Sequence, residues 1–89
     1  MEIKRNEATR RFETEVEGKM GVLEYQMAGH SIVFTHTEVP PEIEGRGIAS
    51  ALTQAGLDYA RAQELRVVPQ CPFVRGYLVK HSEYGDLVD

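Results

Sequence analysis

The chain has a single cysteine, Cys71, so no disulfide can form within it. Histidine is scarce as well: His30, His36 and His81 lie scattered without metal-ligand spacing, and no metal site is expected. No apolar stretch approaches the ~18 residues of a membrane span. The charged start Met1-Glu2-Ile3-Lys4-Arg5 is followed by no apolar run of signal length. A cytoplasmic protein with no membrane partner is the expectation. An excess of positive charge is also missing, since the formal net charge is -4 at pH 7. A nonspecific nucleic-acid binder needs a basic surface to gain from counterion release, so no nucleic-acid partner is expected. The same charge leaves a cationic or amine substrate open. Repeats, low-complexity segments and linkers are absent, and a single domain over 1–89 follows.

What is present is ordinary globular material, 42% hydrophobic and 27% charged, which excludes general disorder. Arg11-Phe12-Glu13-Thr14-Glu15-Val16-Glu17 alternates, predicting a strand with Phe12, Thr14 and Val16 on its core face and three glutamates on a wet face. A weaker strand precedes it around Ile3 to Asn6. Gly18-Lys19-Met20-Gly21 supplies turn residues, and Val22 to Met27 alternates again with Leu23, Tyr25 and Met27 together, which predicts a hairpin. After a turn at Ala28-Gly29-His30, the β-branched run Ser31 to Val39 is the strongest strand of the sequence.

Pro40 and Pro41 end that strand, because neither donates to a ladder and each restricts the residue before it. Ile48, Ala51, Leu52, Ala55, Tyr59 and Ala62 then form the stripe of a helix packed on a sheet. Leu65 to Pro69 reads as a short strand, so the helix becomes a crossover joining two parallel strands. Pro72 suits the first position of a second helix, with Phe73, Val74, Tyr77 and Leu78 at helical spacing and an end near His81 to Glu83. Leu87 and Val88 of the tail are candidates for docking. The fold class is mixed α+β and α/β: a four-strand antiparallel meander, a helix, a parallel fifth strand and a C-terminal helix.

Between the prolines and the first helix lies Glu42-Ile43-Glu44-Gly45-Arg46-Gly47-Ile48-Ala49. A helix N-terminus offers backbone N–H groups without intrahelical partners, and glycines let an anion reach that backbone. The segment reads as a pyrophosphate cradle.

The order of elements and the phrase Glu44-Gly45-Arg46-Gly47-Ile48-Ala49 resemble the GNAT superfamily of N-acetyltransferases. Together with Thr35 to Pro41, Val68-Pro69-Gln70-Cys71-Pro72-Phe73-Val74 and His81-Ser82-Glu83-Tyr84, they resemble its small, YjdJ-type members, from about Val22 to Val88. The resemblance implies acetyl-CoA or CoA as ligand and an unidentified amine as acceptor. It places Val39, Glu44, Gly45, Arg46, Gly47, Ile48, Ala49 and Ser50 around the ligand, with Arg46 adding a charge and Ser50 a hydroxyl. It implies that Glu38 and Val39 pair with the pantetheine arm, and that the thioester lies near Cys71, the suspected active-site residue. Glu38, His36 or a water is then the base, and Tyr77 the acid.

Glu44 departs from the family pattern, which prefers Gln or Arg there, and it sets a carboxylate beside a diphosphate. The chain is also shorter than a typical member: no helical pair fits between its first strands, and one sheet face is expected to be uncovered. The bland alternatives are a plain strand-to-helix turn for the glycines and a packing role for Cys71 and Tyr77. His36 and Glu38 would then be solvated surface groups, and Arg46 and Arg75 ordinary surface charges. At the level of function the alternatives are a CoA or acyl-CoA binding module without turnover, and a small interaction protein that docks through the uncovered sheet face.

Overall fold

The computed structural model describes residues 1–89. Five strands, β1 (Lys4–Asn6), β2 (Arg11–Val16), β3 (Lys19–Ala28), β4 (Ser31–Glu38) and β5 (Arg66–Pro69), form one sheet in chain order. β1 to β4 pair antiparallel, and β4 pairs parallel with β5 through the crossover helix α1 (Ile48–Ala62). Helix α2 (Pro72–Lys80) follows, and short 3₁₀ segments occupy Pro41–Ile43 and Ser82–Leu87. The expected mixed fold and its parallel last pair are both present.

The turns sit elsewhere than the glycine pattern predicts. Val16 pairs directly with Lys19, so Glu17 and Gly18 alone make the first hairpin turn, with φ values of 51° and 76°. Two positive φ angles suit a tight turn whose twist matches that of the strands. β3 therefore starts at Lys19, and Gly21 lies within it, beneath the start of α1. A Cβ on Gly21 would stand 2.9 Å from Ile48 Cγ2, so the glycine serves close packing rather than a turn. α1 ends in a Schellman arrangement, with Leu65 N–H on Ala60 C=O and Glu64 N–H on Arg61 C=O. Glu64 takes the left-handed position there (φ 57°) that usually goes to glycine. β5 accordingly begins at Arg66 rather than Leu65, and α2 stops at Lys80, a residue short of the expected range.

The feature with the largest consequence is a bulge in β4. Tyr25 pairs with Phe34, but the adjacent Glu24 pairs with His36, leaving Thr35 as an extra residue. Directly paired residues share a face, so the bulge reverses the alternation. Ile32 and Phe34 point into the core, while beyond the bulge Thr37, opposite buried Leu23, faces inward and His36 and Glu38 face outward. The simple grouping of Leu23, Tyr25 and Met27 also fails at its end: Leu23 and Tyr25 are buried, whereas Met27 is 46% exposed.

Both helices and the tail cover one sheet face. Phe12, Leu23 and Phe34 from the sheet join Leu52 and Leu57 of α1, Val74 and Tyr77 of α2, and Tyr84 and Leu87 of the tail in one continuous core. Val88 docks beside Val67 as an isolated parallel bridge, as its apolar character suggests. Tyr84 Oη donates to Asp58 Oδ1 at 2.6 Å and Arg61 makes a paired contact with Asp86, which bolts the tail to α1. The opposite face carries Glu13, Glu15, Glu24, His36 and Glu38 with no helix above it. The thin dimension of 19 Å is that of two layers.

Candidate functional site

The loop from β4 to α1 is built to expose its backbone. Ile43 is fully buried and anchors the 3₁₀ turn, while Glu44 N–H donates back to Pro41 C=O. Gly45 and Gly47 then both take left-handed angles, φ 80° and 73°, with open space where a Cβ would stand. Gly47 is the N-cap of α1 and brings no side-chain cap, and no acidic residue lies in the first helical turn. The first helical bond runs from Ala51 N–H to Gly47 C=O. As a result, none of the amide N–H groups from Gly45 to Ser50 is taken by an acceptor within the chain. A shallow cavity of about 210 Å³ lies against five of these six residues, all but Arg46, and is bordered as well by Val39, Ile43 and Phe73.

Six free donors at the positive end of a helix, beside a cavity, suit a diphosphate. Glu44, Gly45, Gly47, Ile48, Ala49 and Ser50 all border the cavity, as does Val39. Arg46 does not. Its guanidinium turns away to Glu17 Oε2 at 2.6 Å across the first hairpin turn. Hydrogen bonding to Arg46 holds the Glu17 carboxyl below its usual range, and the same bond raises the Arg46 value. Arg46 thus braces the loop from behind while the backbone faces the cavity.

The gap expected between the central strands is also present. The ladder between β4 and β5 ends at Phe34 and Pro69, and Cys71 N–H closes it on Phe34 C=O at 2.9 Å. From Thr35 onward β4 has no strand on that side. Cys71 stands at this fork as the N-cap of α2, 4% exposed, with its Sγ 3.1 Å from Thr37 Oγ1. Neither the loop cavity nor its neighbour is lined by it.

The four candidate catalytic residues divide between the two faces of the sheet. Cys71 and Tyr77 lie on the helical side. His36 and Glu38 lie on the open side, His36 Nε2 standing 3.2 Å from Glu38 Oε1, both well exposed. Tyr77 packs its ring on His81 at 3.8 Å and borders a second cavity, about 350 Å³, that runs from Ser50 along α2. Burial, then the nearby Glu83 and Asp58, push the Tyr77 phenol up, so it stays protonated and available as a donor.

Three contributors escaped the sequence reading. Thr37 meets Cys71 only because the bulge turns it inward. Phe73, placed on the core stripe of α2, is instead 41% exposed and borders both cavities. Arg75 donates to the carbonyls of Pro69 and Gln70, fixing the β5–α2 junction where Cys71 sits. No group of three or more His, Cys, Asp or Glu side chains could hold a metal ion, and no helix is long and apolar enough to cross a membrane.

Known proteins are similar to this chain in sequence and in fold. A family model described as GCN5-related N-acetyl-transferase matches residues 11–87. Protein NATD1 of Gallus gallus is 32% identical over 81 residues, covering 88% of this chain and 74% of that one. Protein NATD1 of Homo sapiens is 40% identical over 58 residues, 64% of this chain and 51% of the human protein, so the chain spans about half the length of that relative. The solution structure of a GCN5-like protein from Staphylococcus aureus, assigned provisionally to the N-acetyltransferases, superposes with a TM-score of 0.75 at 26% identity. That superposition covers 99% of this chain and 87% of the other. With a matching family model over most of its length and the same fold in a solved relative, the chain belongs to the GCN5-related N-acetyltransferase family.

Proposed function

We propose that the chain binds acetyl-CoA at the loop of Gly45 to Ser50 and transfers its acetyl group to an amine. The observation that carries this reading is the run of six unpaired amides presented by two left-handed glycines beside the open fork of β4 and β5. Bound acetyl-CoA would supply an activated thioester, whose acetyl group passes to the amine nitrogen as an amide while the C–S bond breaks and CoA leaves as the thiol. The chain's own residues divide the remaining work. The amides of Gly45 to Ser50 hold the diphosphate, and the unpaired edge of β4 beyond Phe34, with Val39, offers main-chain partners to an extended arm.

His36 and Glu38, on the open face, receive the amine and take up its proton. Glu13, Glu15 and Glu24 on the same face favour a cationic acceptor. Tyr77, held protonated, serves as hydrogen-bond donor on the helical side. Cys71 is buried and engaged with Thr37, which favours direct transfer to the amine over a covalent acetyl-cysteine. A second reading, a CoA-binding module without turnover, is favoured by one observation: nothing in the chain covers the open face where an acceptor would be enclosed.

Release of free thiol from acetyl-CoA in the presence of polyamines, amino acids and peptides separates the two readings. Amine-dependent thiol release is expected for wild type, with Cys71→Ser retaining most of it. Binding of acetyl-CoA with no thiol release from any amine supports the module instead. Collapse of turnover in Cys71→Ser by several orders of magnitude overturns direct transfer.

A further inference from the structure

The fork between β4 and β5 is not open along its whole length. The loop cavity is bordered by Val39 and Phe73, and the fork closes where Cys71 N–H bonds Phe34 C=O at 2.9 Å. Between these limits, on the helical side, Thr37 Oγ1 meets Cys71 Sγ at 3.1 Å. Thr37 stands about 7 Å before Val39 at the extended rise of ~3.3 Å per residue, and Cys71 precedes Phe73 by two positions, so the contact lies inward of the cavity along both segments. Neither residue lines any of the molecule's cavities. The bulge decides which side chain stands there. In unbroken alternation from Phe34, His36 would turn inward; with Thr35 as the extra residue, the smaller Thr37 does so instead. Both partners are held in place. Thr37 pairs with the fully buried Leu23, while Cys71 is fixed by its own N–H on Phe34, by Arg75 N–H on its C=O, and by the Arg75 guanidinium on the Pro69 and Gln70 carbonyls. Packing this close yields little to an added methylene.

Resting on the loop reading above, we infer that the Thr37–Cys71 contact is an end-stop that restricts the acyl donor to acetyl. The amine meets the thioester from the open face, where His36 and Glu38 stand, so the acyl tail is turned toward the helical side and onto this contact. Each further methylene of a propionyl or butyryl chain then presses on two side chains that their backbones do not let withdraw. One methylene too many in a fitted pocket commonly costs about tenfold or more. Thr37 and Cys71 therefore set the length of the acyl donor, independently of which amine accepts it.

Calorimetric titration of wild type, Thr37→Val, Thr37→Ala and Cys71→Ala with CoA, acetyl-CoA and butyryl-CoA tests this, with thermal melting of each unliganded protein as the check on folding. Wild type is expected to bind acetyl-CoA at least about tenfold tighter than butyryl-CoA. Thr37→Val keeps the bulk and loses only the hydroxyl, so it should keep that ratio. Thr37→Ala and Cys71→Ala each remove bulk from the stop and should bring the two ligands within about threefold of each other. Where one of these truncations does not fold, the other decides. Equal affinity of wild type for acetyl-CoA and butyryl-CoA, or an unchanged ratio in a folded truncation, overturns the inference and, with CoA itself bound, leaves the loop reading standing. Failure of wild type to bind CoA in any of the three forms overturns the loop reading itself, and the inference with it.

Discussion

Glu44 works against the loop it belongs to. It borders the cavity beneath the six free amides, and no cation within the chain engages it. Two like charges about 4 Å apart in water repel by about 1 kcal/mol, less with salt. Glu44→Gln is therefore expected to tighten acetyl-CoA binding about fivefold at low ionic strength, with the gain shrinking as salt is added. Titrations at two salt concentrations check it; unchanged affinity would place Glu44 away from the diphosphate. At this scale the sequence was a good guide to backbone conformation, since glycine spacing foretells a turn at a helix start. Gly45 and Gly47 are where the motif puts them. It was a poorer guide to side chains whose direction depends on neighbours. Arg46 looks like a ligand contact in the sequence, but Glu17, brought opposite by the tight first turn, captures it.

Among the elements, α1 packs hardest at Gly56. A Cβ there would stand 2.8 Å from Phe34 Cε1 and 3.1 Å from Leu23 Cδ2, both fully buried in the sheet beneath. Gly56→Ala gains up to about 1 kcal/mol of helix propensity and loses about 1 to 3 kcal/mol to overpacking. A net fall in melting temperature is expected, where the same change at Gly76, whose Cβ would meet nothing within 4 Å, raises it. A more stable Gly56→Ala protein would contradict this account of the helix–sheet contact.

The same comparison explains why some elements were legible and others were not. α1 and β4 carry strong periodic patterns and lie where those patterns predict. β1 is three polar residues, and its place depends on Arg5 reaching over the Tyr59 ring at 4.5 Å and to the Tyr25 hydroxyl. The bulge at Thr35 was invisible because every residue from Ser31 to Thr37 suits a strand on either face. One unpaired residue there decides that His36 and Glu38 face away from Cys71 and Tyr77.

For the molecule as a whole, the helices and tail close one side of the sheet and leave the other open, and the tail clasp holds the closed side together. The hydrogen bond to Asp58, with burial second, pushes the Tyr84 phenol up to about 12 from 10.0. Because the folded value lies above the unfolded one, the clasp contributes its full stability below pH 10 and loses it as pH rises toward about 12. Wild type should therefore lose melting temperature more steeply than Tyr84→Phe across that window, and parallel curves would contradict the clasp.

The open face and the fork of β4 and β5 matter only if the loop from β4 to α1 holds acetyl-CoA. Titrating acetyl-CoA into wild type and Gly47→Val while following thermal unfolding tests that most directly. At about 100 times the dissociation constant, wild type should gain ~2.7 kcal/mol, a shift of several degrees for a domain of this size. Gly47→Val, which forces a β-branched residue into a left-handed angle of 73° at the cavity wall, should show little or no ligand-induced shift. No shift in wild type at millimolar acetyl-CoA, or the same shift in both proteins, would contradict the account.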